Sequence, residues 1–288
     1  MPRIIRVFPR RTRATPDDVD VRVNVQPGFW DEADEVHVSV TFTWDLPLAE
    51  ELARQWRHVA PVTIGGPATG GPGGAFVPGR YLRPGYVITS RGCPNRCWFC
   101  SVWRREGAEV RELPITEGHN VLDDNLLACN EAHVRAVFAM LARQARRPEF
   151  TGGLEAARLQ PWHAEGLAGL KPTSTFFAYD TPDDAEPLRV AGQMMLAAGF
   201  TVASHTLRCY VLCGWPQDTP EAAEVRMRFA IDCGFTPMAM ALRDDDGGRT
   251  RQWVRFQREW ARPAIIHSAG STEESTQEVQ ESRRTAWR

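Results

Sequence analysis

The stretch Cys93-Pro-Asn-Arg-Cys97-Trp-Phe-Cys100 places three cysteines within eight residues, separated by three and then two positions. Such a run gathers three thiolates about one point, which suits a soft metal centre. Three ligands are one too few for a closed structural zinc site, which takes four. They suit an iron–sulfur cluster that leaves one iron open to bind something else. A zinc knuckle remains the competing reading if a fourth ligand comes from elsewhere, for instance His119.

The wider stretch Thr89-Ser-Arg-Gly-Cys-Pro-Asn-Arg-Cys-Trp-Phe-Cys100, with aromatic Phe99 just before the last cysteine, resembles the radical SAM superfamily. Within it the stretch is similar to the branch that includes cobalamin-dependent and methylthio-transferring members. The resemblance implies a 4Fe-4S cluster held by Cys93, Cys97 and Cys100, with S-adenosylmethionine (SAM) on the open iron. It also implies reductive cleavage of SAM to a 5'-deoxyadenosyl radical and an electron donor such as flavodoxin or ferredoxin. Arg91 and Arg96 would offset the negative charge of such a centre and favour deprotonated thiols.

Downstream the chain alternates strand and helix patterns. Strands are expected at 86–90, 120–122, near Phe150, at 173–179, 207–213 and 236–242, with helices at 131–145, 187–198 and 219–233. Thr219 reads as the N-cap of the last helix and Gly234 as its C-terminal glycine. Six strands with intervening helices argue for a parallel α/β sheet. The superfamily's partial six-fold βα barrel fits that count, and in such barrels functional residues gather at the carboxyl ends of strands.

On that rule, Asp123-Asp124-Asn125 takes the place of the family's amine-binding motif, where paired carboxylates could accept from the SAM ammonium. Glu155 and Arg158, after Thr151-Gly152-Gly153, could contact the methionine carboxylate, ribose or substrate; glycines that merely close a turn are the alternative. Asp180 would reach the ribose hydroxyls, or only cap the turn before Pro182. Gly214 would let backbone approach the adenine. Met238 and Met240, alternating on the last strand, read as core packing. Cys209 and Cys213, four apart on one strand, share a face and read as buried structural residues.

The front section, 1–84, reads as a small Rossmann-like βα unit: strands at 3–8, 19–25 and 35–42, a helix at 45–58, a buried strand at 59–64, then Gly65-Gly66-Pro67. It resembles a shortened cobalamin-binding domain. The histidine of that domain sits in an Asp-x-His-x-x-Gly motif, which neither His37 nor His58 matches, so cobalamin is not expected. The glycine- and proline-rich 65–79 lacks the P-loop lysine and the dinucleotide spacing and reads as a linker or lid.

At 288 residues the chain can bury a full core, and 43% hydrophobic with 24% charged residues is ordinary for a globular protein. A net charge of -2 shows no bias toward polyanions. No apolar run is long enough to span a membrane, and a reactive cysteine triplet belongs in a reducing compartment, so a cytoplasmic protein is expected. The expected organisation is the front section and linker at 1–84, a barrel with a C-terminal helix at 85–267, and a disordered tail at 268–288. Two rival functions stay open: an RNA methyl- or methylthio-transferase of the same superfamily, and a non-catalytic zinc or iron–sulfur nucleic-acid-binding protein.

Overall fold

In the computed structural model, residues 2–244 and 247–261 are described. The disordered tail expected at 268–288 lies outside them. The protein is α/β with parallel sheets, and it divides into two compact units. The first runs to Met140 and includes Gly247; the second holds the described residues from Leu141 to Asp244 and from Gly248 on. The boundary expected at 84/85 falls inside the first unit.

The first unit opens with β1 (Ile4–Phe8), β2 (Val21–Val23), β3 (Glu35–Ser39), α1 (Leu46–Trp56) and β4 (Val62–Gly65). These strands form an all-parallel sheet in the order β2-β1-β3-β4. Alternation in β3 sends Val36 and Val38 inward, and they pack with Ile5, Val7, Leu52 and Trp56 into one buried cluster. Strand β4 is the edge: Thr63 and Ile64 are exposed, so the buried strand expected before Gly65-Gly66 is half open to solvent. The chain passes from β2 back across β1 to β3, which makes the carboxyl ends of β1 and β3 a topological switch point.

The same unit continues with β5 (Tyr86–Val87), β6 (Ser90–Arg91), α2 (Val102–Arg105), β7 (Arg111–Glu112), β8 (Asn120–Val121) and α3 (Glu131–Ala142). β5 pairs with β8 in parallel, and β6 with β7 antiparallel. The strand expected over 86–90 is therefore two short pieces. The second piece leaves the parallel pair to close the cysteine loop into a hairpin. Within the front section, Arg6 donates to the carbonyls of Gly79 and Arg80 and the Arg83 amide to that of Ala14, while the Gly73 amide reaches across to Glu106 beside the cysteine loop.

The second unit runs β9 (Glu149–Leu154), α4 (Pro161–Leu170), β10 (Ser174–Tyr179), α5 (Ala185–Ala197), β11 (Leu207–Cys213), α6 (Pro220–Asp232), β12 (Thr236–Ala241) and α7 (Arg251–Trp260). Its strands pair in parallel in the order β12-β11-β10-β9. The Thr219 hydroxyl accepts from the Ala222 amide at 3.2 Å, the N-cap that the sequence announces. One face of this sheet is fully buried through Phe177, Cys209, Val211 and Cys213. The opposite face carries Phe176 stacked on Tyr210 at 4.4 Å, with Met238 and Met240 beside them in register. Those two methionines are 38% and 43% exposed, which corrects the expectation that they pack in a core.

Candidate functional site

The cysteine loop begins at Gly92, whose φ of +91° is the left-handed region. A Cβ there would overlap the Glu109 carbonyl oxygen, so only glycine fits. The loop is pinned at its base by the Cys93 amide donating to the Gly107 carbonyl at 3.2 Å. Inside it the Cys100 amide donates to the Cys97 carbonyl at 3.2 Å, and Trp103 Nε1 donates to the same carbonyl at 3.0 Å. Arg104 stacks over Trp103 and donates to the Cys100 carbonyl. Phe99 meets Trp98 edge to face at 5.4 Å.

Asp123-Asp124-Asn125, leaving the carboxyl end of β8, grips this loop rung by rung. The Asp123 carboxylate is buried and accepts from the Thr89 amide (2.5 Å), the Thr89 hydroxyl (2.6 Å) and the Ser90 hydroxyl (2.8 Å). The Asp124 carboxylate accepts from the Gly92 amide at 2.9 Å, and Asn125 Nδ2 donates to Cys93 Sγ at 3.5 Å. His133, on α3, lies 3.3 Å from the Thr89 hydroxyl behind the first rung. Burial raises the pKa of both Asp123 and Asp124, against the hydrogen bonds that lower it. Three successive residues thus hold three successive points on the approach to Cys93. The triplet expected to bind an ammonium spends the Asp123 oxygens on the chain itself.

A second anchor was not visible in the sequence. Glu106, at the end of α2, has no exposed side-chain surface and draws in three arginines. Arg91 and Arg105 approach it at 3.3 Å and Arg111 at 2.9 Å. The Gly73 amide donates to the same carboxylate at 3.0 Å. Arg91, expected to balance charge at the thiols, is therefore committed to Glu106, while Arg96 is exposed. A cavity of about 590 Å³ opens beside this anchor, lined by the carboxyl ends of β1, β3 and β4, by the strap 71–77, and by Arg91, Arg105, Glu106 and Asp124. His37 lines it with both ring nitrogens engaged, one by Tyr81 and one by Glu35.

None of the seven cysteines forms a disulfide. Cys93, Cys97 and Cys100 are half-buried and share one loop, but among the described residues no three His, Cys, Asp or Glu side chains converge into a ready-made metal site. By donor chemistry the set fits a thiolate-held cluster: three thiols on one loop whose base is fixed at both ends. His119 packs against Gly85 at the amino ends of β5 and β8, whereas the cysteines follow the carboxyl end of β5, so it is not positioned as their fourth ligand. Burial pushes the Cys129 thiol up to about 11 and those of Cys213 and Cys233 up to about 12. Complete burial raises the Cys209 thiol well above its ordinary value. Those four are poor thiolate donors at neutral pH.

In the second unit the expected residues sit near strand ends but are already partnered. Glu155 follows β9 and pairs with Arg158 at 2.7 Å. Gly152 and Gly153 lie within β9, where Gly153 has a φ of +98° and the register against β10 shifts. They do not close a turn after the strand. Asp180 follows β10, and burial, then the neighbouring Asp184 charge, lifts its pKa to about 7. The Gly214 amide, just past β11, donates to Asp218 at 2.7 Å; Asp218 in turn is buried against Arg226 at 2.8 Å, and Arg226 stacks on Trp215.

No known protein-family model matches the chain, and no curated protein matches it either.

Proposed function

We propose that the protein is a radical SAM enzyme built on a partial six-fold βα barrel, with Cys93, Cys97 and Cys100 as the ligands of a 4Fe-4S cluster. The observation that carries this reading is the cysteine loop itself. Three thiols in three-then-two spacing follow the carboxyl end of a parallel strand, on a loop clamped by Asp123, Asp124 and Asn125. When bound, the cluster would supply the electron that cleaves SAM to methionine and a 5'-deoxyadenosyl radical able to abstract hydrogen from a substrate.

The chain's own residues do the rest. Asp123 and Asp124 hold the loop, and the Asn125 amide donates to the Cys93 sulfur, which favours the thiolate. Phe99 and Trp98, just before the last cysteine in the chain, form an edge-to-face aromatic pair. Within the second unit, Asp180 follows the carboxyl end of β10, and Met238 and Met240 leave an apolar face of the sheet open. A reductant such as flavodoxin or ferredoxin is the partner this chemistry requires.

Anaerobic reconstitution with iron and sulfide tests the ligand assignment. Wild type is expected to bind about four irons per chain, bleached by dithionite, and each single Cys→Ala variant in the loop to lose them. Cys209→Ala and Cys213→Ala keep the full complement. Stoichiometric zinc in place of iron would overturn the reading.

A further inference from the structure

The cavity of the first unit has a wall whose charges are already spent. Arg10 pairs through two nitrogens with the buried Asp45, Arg91 and Arg105 with Glu106, and Asp124 with the Gly92 amide. Three arginines face three carboxylates. A charged ligand would compete with ion pairs already made, and one that drew Arg10 away would leave Asp45 buried without its cation.

Three hydroxyls remain: Ser39, Thr41 and Thr63, at the ends of β3 and on β4, line the cavity without a hydrogen bond to another described residue. Around them the wall is apolar, with Phe8, Phe76, Leu82, Ile88 and Leu122. The volume, about 590 Å³, is that of a small-molecule site. The position matches too, because in parallel α/β sheets ligands bind outside the carboxyl ends of the strands at the switch point, here between β1 and β3.

We infer that this cavity binds an uncharged, largely apolar small molecule that hydrogen-bonds to the Ser39, Thr41 and Thr63 hydroxyls. The glycine-rich strap forms its outer wall. A Cβ at Gly73 would overlap the Arg91 guanidinium, so the strap lies directly on the ion-paired arginine. The Gly73 amide is taken by Glu106 and is not offered to an anion. The inference does not depend on the cluster and stands or falls apart from it.

The test uses the full chain and Nile red, an uncharged apolar dye with a carbonyl acceptor. Saturable binding of one dye per chain with blue-shifted emission is expected, little changed by salt. Thr41→Trp fills the cavity from the strand end and should weaken binding about tenfold or more. Gly71→Trp is the second variant: a Cβ there meets nothing within 4 Å, so the fold accommodates it, and its ring enters from the strap. The anionic dye 1-anilinonaphthalene-8-sulfonate should bind at least about tenfold more weakly than Nile red. Three results would overturn the inference: no saturable Nile red binding, wild-type binding by both tryptophan variants, or tighter, salt-sensitive binding of the anionic dye.

Discussion

Replacing Asp123 by alanine separates a clamp from a ligand-binding carboxylate. Its three bonds reach Thr89 and Ser90, both fully buried, so the donors cannot turn to water when the acceptor is removed. The Thr89 amide is left unsatisfied, at about 1–3 kcal/mol, and the two hydroxyls lose about 1 kcal/mol each even though His133 lies near one of them. The total is about 3–5 kcal/mol. Asp123→Asn behaves differently. Its oxygen still accepts from the Thr89 amide, and both hydroxyls can rotate to accept from its NH2, so the cost should stay near or below ~1 kcal/mol. Urea unfolding of the metal-free chain reads this directly. With a slope of about 2 kcal/mol/M, the alanine variant loses roughly 2 M in the midpoint of the first unit's transition, and the asparagine variant loses less than about 0.5 M. Equal losses would show that the charge, not the acceptor geometry, is what the site uses. An alanine variant as stable as wild type would refute the clamp.

Other outcomes follow from the same geometry. Asp180 has its pKa raised from 3.8 to about 7, so the stability linked to its protonated form is present below its ordinary value and lost as pH rises to about 7; the gap corresponds to at most ~4 kcal/mol. Asp180→Asn should therefore gain on wild type between pH 4 and 8 in paired urea titrations, and parallel curves would contradict this. Arg226→Met leaves Asp218 buried without its cation and should cost about 3–5 kcal/mol by the same assay, whereas Arg226→Met with Asp218→Asn should recover some of it. Glu106→Ala removes the acceptor of the Gly73 amide and should speed hydrogen exchange at that amide by about tenfold or more, read by NMR or mass spectrometry, with unchanged exchange counting against Glu106 as the strap's anchor.

The sequence carried the local features well. The Thr219 cap, the limits of β11 and the inward alternation of β3 depend on neighbours within a turn or a pleat, and they appear where the pattern put them. Function-bearing contacts were less legible because they span long stretches of chain. Asp123 meets Thr89 across 34 positions and Gly73 meets Glu106 across 33, separations that no periodicity encodes. Hence the loop contacts of the Asp123-Asp124 pair, expected to meet an ammonium, were not foreseen, and Glu106 went unremarked. Period-two alternation in β12 correctly put Met238 and Met240 on one face. It could not say that this face is the one left open, since alternation distinguishes two faces without ranking them. For Gly152-Gly153 the turn weighed as the alternative does not form: glycine signals a backbone departure, which here is a register shift within β9.

The central claim is that Cys93, Cys97 and Cys100 serve SAM cleavage. The most direct measurement is 5'-deoxyadenosine formed from SAM by the anaerobically reconstituted, dithionite-reduced protein, quantified by chromatography beside the three single Cys→Ala variants. Formation by wild type, with Cys209→Ala and Cys213→Ala active and all three loop variants inactive, is the predicted result. A fully iron-loaded wild type that leaves SAM intact, or a loop variant that still cleaves it, would contradict the account.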